Sequence, residues 1–307
     1  MHHARPPRKT LFTATVLAYV ALVVANVALA FGPLFVRLAD VGPVASAFWR
    51  IALALPLLFV LAGASGWRGG GTRGLWPAIL IGGVAFAADL ASWHLGILRT
   101  TLANATLFGN CAVLFFPLYG FVAARAWPSR LQAVALLLAA AGGGLLMGRS
   151  LELGARNLTG DLLCLAAGLL YTIYFIAMRR VRLRLPPLPA LALSSAASLL
   201  PLAVFAVAFG ETLWPGHWSP LFGLALVSQV IGQGAMIFAL GRVSPLLLGI
   251  ALLLQPVCAA IIGLVAFDER LGAADAVGAV LVAVALVLVR DRSAAVAPDA
   301  AEEQKQA

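Results

Sequence analysis

LWPAILIGGVAFAADLASWHLGIL, residues 75–98, decides how this chain is read. The run is long enough to cross a bilayer, which takes about 20 apolar residues in a helix. Yet it contains Asp89 and His94. A charge near the bilayer centre costs at least about 2.5–3.5 kcal/mol. Such a group is expected to face a partner or a cavity instead of lipid.

The rest of the chain repeats the pattern. Of 307 residues, 62% are hydrophobic and 11% are charged, and the mean hydropathy is +0.99. A soluble domain carries roughly 25% charged residues. The apolar blocks are continuous and do not alternate, which argues against a membrane barrel. They fall at about 11–36, 43–62, 75–98, 102–123, 131–147, 158–178, 190–209, 221–240, 245–267 and 273–289. The expected fold is therefore an all-α membrane protein with ten transmembrane helices. Gly32-Pro33 should bend the first near its end. That first run is longer than a signal-peptide core, so it reads as a retained span. The Gly-rich loop 63–74 has no strand before it and no Lys-Ser/Thr after it, so it is a linker and not a phosphate loop. Trp214 and Trp218, in the loop 211–220, suit the headgroup level.

A net charge of +9 raises the question of nucleic acid. The distribution of the charge answers it differently. Fifteen of the 21 Lys/Arg fall in alternate segments: Arg5, Arg8, Lys9, Arg68, Arg73, Arg125, Arg130, Arg179, Arg180, Arg182, Arg184, Arg242, Arg290, Arg292 and Lys305. The other loops hold Arg37, Arg99, Arg149, Arg156 and Arg270. That asymmetry is how membrane topology is set. It predicts an integral protein of the bacterial inner membrane with both termini cytoplasmic, and no nucleic-acid partner. Cys111, Cys164 and Cys258 all lie in apolar spans without metal-ligand spacing and read as packing residues. No metal and no cofactor is expected.

The chain also repeats itself at an offset of 143 residues. Gly96-Ile97-Leu98-Arg99-Thr100-Thr101 aligns with Ala239-Leu240-Gly241-Arg242-Val243-Ser244, and the last spans of each half align without a gap. Five spans per half is an odd number. The second half must then enter the membrane upside down, as two inverted five-helix repeats. The expected domains are a cytoplasmic tail (1–10), a first repeat (11–148), a periplasmic linker (149–158), a second repeat (159–291) and a disordered cytoplasmic tail (292–307).

At this level of detail the chain resembles a known family. Asn157-Leu158-Thr159-Gly160-Asp161-Leu162-Leu163, the stretch from Tyr171 to Arg180, Leu252-Leu253-Leu254-Gln255-Pro256-Val257 and Phe267-Asp268-Glu269-Arg270-Leu271 resemble the EamA-type domain of the drug/metabolite transporter superfamily. In the first half, Ala47-Phe48-Trp49-Arg50-Ile51-Ala52-Leu53 is similar to the corresponding segment. The resemblance covers roughly residues 11–291. It departs from the pattern at Ala126, where the family has a glutamate, at Val113, where it has a proline, and at Gln255, which replaces a common glutamate. The resemblance implies a ten-helix transporter of small metabolites and names no substrate.

The candidate site begins with Asp89. Arg50, in the neighbouring span, falls at a similar depth and could pair with it. Such a pair either binds substrate or carries a coupling proton, or it simply pins two helices together. Trp93 shares a face with Asp89, whereas His94 lies about 140° round the helix and reads as a proton relay or as an interfacial histidine. The neutral candidates are Asn104, Asn110, Tyr171, Tyr174, Gln229, Gln233 and Gln255. Gln229 and Gln233, four residues apart, would make one polar face. These groups bind polar organics, and they also serve as glue between helices. The repeat places Gly232 at the position of Asp89 and Leu193 at that of Arg50, so the charges belong to one half only. The expected function is secondary active transport of small polar or amphipathic metabolites by alternating access, with proton coupling. The expected partners are the lipid bilayer, a small-molecule substrate and protons. The alternatives are a multidrug or lipid-type exporter and a non-transporting membrane scaffold or sensor. No HExxH, nucleophile elbow or phosphate loop points to an enzyme.

Overall fold

The structure is a computed structural model and describes residues 8–99, 108–147, 155–255, 257–258, 261–262 and 273–290. Asn104 lies outside the described residues. All regular structure among them is helical: α1 (Arg8–Ala30), α2 (Gly32–Leu38), α3 (Pro43–Ala64), α4 (Trp76–Ile97), α5 (Ala112–Ala123), α6 (Arg130–Met147), α7 (Ala155–Arg182), α8 (Pro187–Ala208), α9 (Ser219–Leu240), α10 (Pro245–Ala251) and α11 (Ala273–Arg290). Among the described residues, six helical stretches are long and apolar enough to cross a membrane: Val16–Leu38, α3, α4, Leu158–Arg182, α8 and α9. Val20, Leu200 and Val207 point outward and are more than half exposed. Lipid accepts such a surface where water would not. The chain is an integral membrane protein.

Proline opens several of these helices, where its missing N–H costs nothing: Pro33, Pro43, Pro77, Pro187, Pro220 and Pro245 stand in the first turn. The first span is interrupted at Phe31, one residue before Gly32-Pro33. The fourth was expected as one helix from 102. Its described part instead turns at Asn110-Cys111 before α5 begins at Ala112. The ninth was expected to run unbroken to 267, but the chain turns at Leu252-Leu253. Pro256 has no N–H to give to the carbonyl of Leu252. That carbonyl accepts the Gln255 N–H instead, at 3.1 Å. The middle of α9, Leu224–Gln233, is wound as a π-helix.

Helix packing follows a pattern. Helices in equivalent positions of the two sequence repeats meet one another, α3 on α8 and α6 on α11, and α5 packs on α10, which belongs to the span equivalent to its own. The contact of α4 with α7 is answered by that of α1 with α9. In bilayers such contacts depend on small residues that let backbones approach. A Cβ at Gly96 would stand 2.4 Å from Sγ of Cys164, and one at Gly83 would stand 2.4 Å from Cβ of Ala197. Those two glycines are what allow α4 to lie against both α7 and α8.

Candidate functional site

The three interruptions converge. Leu29, Ala30, Gly32 and Pro33 at the first break, Gly109 and Asn110 at the second and Gln255 at the third line a single cavity of about 90 Å³. That is space for several waters or a small solute. Arg50 of α3, Asp89 and Trp93 of α4, Tyr171 of α7 and Gln233 of α9 complete the wall. Non-helical backbone at membrane depth is tolerated where it lines a cavity of this kind.

Arg50 is 4% exposed and Asp89 is 9% exposed. Counted at 1.5 Å per residue, Asp89 lies about 20 Å from the start of α4 and about 12 Å from its end, well inside the apolar span. The two charges attract across the cavity without forming a direct ion pair. The Arg50 Nε–H donates instead to Oε1 of Gln229 at 3.0 Å, and Nε2 of Gln229 donates to Oγ of Ser195 at 3.0 Å. Arg50 is thereby tied to α9 and, through it, to α8. Its guanidinium carbon lies 5.8 Å from the ring centroid of Phe86. Phe86 stacks on Tyr174 at 4.6 Å, and Tyr171 packs on Phe175 at 4.2 Å. One side of the cavity is therefore aromatic.

Its polar wall has a directed hydrogen-bond supply. The Tyr171 hydroxyl donates to Oε1 of Gln233 at 3.2 Å. Gln233 is fully buried, and its Nε2 has no partner among the described residues. A buried unmatched donor costs about 1–3 kcal/mol, which a solute with an acceptor would relieve. Gln255 donates to Oδ1 of Asn26 at 3.1 Å, and Asn26 donates to the Leu22 carbonyl at 2.6 Å.

Several candidates from the sequence lie off the wall. His94 is fully buried with Nδ1 2.7 Å from the Pro43 carbonyl and 3.1 Å from Oγ of Ser46, so it ties α4 to the start of α3. Tyr174 supports Phe86 from behind. Gln229 and Gln233, both buried in the π-wound part of α9, take different partners. Gln229 points to Arg50, and Gln233 to Tyr171. Sequence reasoning did not select Asn26, Ser195 or Phe86. A lone amide in the first apolar run marks Asn26, but nothing local marks the other two.

The outer edge of this arrangement is a clasp between the two sequence repeats. Oε2 of Glu211, beyond α8, accepts the Ala45 N–H at 2.7 Å and so caps α3. Oδ2 of Asp40, before α3, accepts the N–H groups of Gly216 and His217 at 2.9 and 3.0 Å. Nε1 of Trp49 donates to the Leu213 carbonyl at 2.6 Å, and the Trp49 ring meets Trp218 edge-on at 4.9 Å. Slight burial raises the Asp40 carboxyl, but the hydrogen bonds from the His217 ring and from backbone N–H groups outweigh it and hold the carboxyl below its ordinary 3.8. The sign follows: the stability that Asp40 lends the clasp is fully present above pH 3.8 and is lost as pH falls through the lower folded value. Asp40→Asn, which keeps the shape and loses the charge, is expected to speed amide hydrogen exchange at Gly216 and His217 at neutral pH. Unchanged protection at both amides would contradict this.

Residues 158–290 match the EamA-like transporter family. They are an EamA-like transporter domain. Tyr171, Gln233 and Gln255 belong to that domain, while Arg50 and Asp89 lie outside the matched residues. An uncharacterized transporter of Archaeoglobus fulgidus is 26% identical over 258 residues, 80% of this chain and 87% of that protein. A crystal structure of a protein 18% identical superposes with a TM-score of 0.75, covering 90% of this chain and 96% of that one; it speaks for the fold alone. The EamA-like domain, the transporter-named relative and the apolar spans together support a membrane transporter.

Proposed function

We propose that this protein is a secondary active transporter that moves a small polar or amphipathic metabolite by alternating access, coupled to protons through Asp89. The observation that carries this reading is the cavity. A buried arginine and a buried aspartate face one space at which three helices are interrupted. Discontinuous helices placed around a mid-membrane site are the common build of secondary transporters. Asp89 is the carboxylate on that wall among the described residues, and Arg50 with the Gln233 donor supplies a complementary end for a polar solute.

The same reading includes ten spans in two inverted five-helix repeats. The packing of equivalent helices on each other, and the exchange of the α4–α7 contact for the α1–α9 contact, are what an in-plane twofold generates. The alternation of Lys and Arg supports cytoplasmic termini in a bacterial inner membrane. The partners are then the bilayer, the solute and protons, without nucleic acid.

The test is flux in proteoliposomes holding this chain alone, with no nucleotide. Solutes are chosen by metabolite profiling of cells that overexpress the protein. An imposed pH gradient is expected to drive uptake or release of at least one of them. If no such solute moves faster than in empty liposomes, the chain is a scaffold or needs a partner, and the proposal fails.

A further inference from the structure

Far from the cavity, arginines gather on backbone carbonyls. Arg182 is the last residue of the span Leu158–Arg182, and Arg242 stands just past the span Ser219–Leu240. The helices α7 and α9 pack on each other near these ends. Nε of Arg182 donates to the Ile237 carbonyl at 2.9 Å, and its Nη1 donates to the Leu185 carbonyl. The guanidinium lies so close to the turn after α9 that a Cβ at Gly241 would stand 2.8 Å from Nη2. Nη1 of Arg242 donates to the Phe238 carbonyl at 2.9 Å, with the guanidinium carbon 3.8 Å from the Phe238 ring centroid. Nη1 of Arg179 donates to the Val243 carbonyl at 3.3 Å.

Every one of these acceptors is neutral. Arg182 is close enough to Arg242 to be repelled by it, and neither forms an ion pair among the described residues. Three acids of the described residues lie elsewhere. Asp161 lies about 30 Å down α7, and Glu211 and Asp40 are occupied in the clasp at the far end of α8. A guanidinium has five N–H donors, so both arginines keep donors beyond the bonds described.

We propose that Arg182 and Arg242 form a binding site for the phosphate of an anionic lipid headgroup at the end of α7 and α9. Guanidinium groups match phosphate oxygens in charge and in fork geometry. The ends of membrane spans lie at headgroup depth, where basic pockets between helices hold anionic lipids. Leu183, next to Arg182, is exposed, which gives an acyl chain an apolar surface to lie along. That surface favours a lipid over a free anion.

The test uses the purified full-length protein in neutral detergent. Phosphatidylglycerol and phosphatidylcholine are titrated separately while bound lipid is followed by native mass spectrometry. Phosphatidylglycerol is expected to bind at least about fivefold more tightly, and R242Q to weaken it about fivefold, the contribution of one arginine near a membrane surface. R182Q with R242Q should remove the preference. Arg242 is exposed, so R242Q carries the test if the double variant does not fold. Equal binding of the two lipids, or unaltered phosphatidylglycerol binding by R242Q, overturns the proposal. Inorganic phosphate that displaces phosphatidylglycerol at an equal concentration assigns a free-anion site and overturns the lipid. A fivefold gain in lipid binding on deleting residues 292–307 makes the acidic tail the occupant and also overturns it.

Discussion

Asp89→Asn is expected to abolish gradient-driven transport while leaving the folded protein intact. Asparagine has nearly the shape of aspartate, and its amide keeps one oxygen as an acceptor. It can neither take up and release a proton nor meet a cationic group with a charge. A hydrogen bond to a charged partner is worth about 1.5–3 kcal/mol, so solute affinity alone should fall about tenfold or more. The pH term should vanish as well. Flux measured from pH 5.5 to 8 separates the two effects: wild-type flux should follow the gradient, and the variant's residual flux should not. A well-expressed Asp89→Asn protein with wild-type flux and a wild-type pH profile would remove Asp89 from the mechanism. The repeat sharpens this expectation. Its counterpart Gly232 offers no carboxylate, and a Cβ there would stand 3.0 Å from Leu29. The helix fold therefore does not require an acid at this position.

How much of this was legible in the sequence depended on the range of the interaction. Apolar length fixed where spans lie, because a bilayer imposes that length directly. Gly32-Pro33 located the first interruption, because proline lacks a backbone donor, whereas the third stands in a helix expected to continue past Pro256. The second interruption, at Asn110-Cys111, has no such mark. Pro117 lies only a few residues later and sits inside α5 without ending it. The depth of Asp89 was readable from its helix alone, and so was its shared face with Trp93. The partner of Arg50 was not. Depth pointed to Asp89, yet its hydrogen bond goes to Gln229, 179 residues away. That contact exists only because α3 packs on α9. The clasp was hidden for a similar reason. Glu211 and Asp40 look like ordinary loop acids until the two repeats are brought together.

Arg50→Met is expected to destabilise the protein by about 2–3 kcal/mol, and Arg50→Met with Asp89→Leu to recover most of that loss without recovering transport. Removing one partner of a buried charge pair leaves the other uncompensated, which costs about 3–5 kcal/mol in a dry interior. The figure here is lower because the cavity has room for water around Asp89. Part of the loss comes from Gln229, whose Oε1 would lose the Arg50 donor. Removing both charges takes away the uncompensated carboxylate, and apolar replacements of buried pairs are often neutral. Arg50→Lys keeps the charge but cannot reproduce the guanidinium bond to Gln229, so its cost should be nearer 1 kcal/mol. Unfolding midpoints in detergent would rank the variants as wild type, Arg50→Lys, the double variant and then Arg50→Met. Flux through the double variant decides what the charges are for. If they only hold α3 and α4 in place, the restored fold should transport. If they read the solute and carry the proton, a stable protein with an apolar cavity should be silent at every gradient applied.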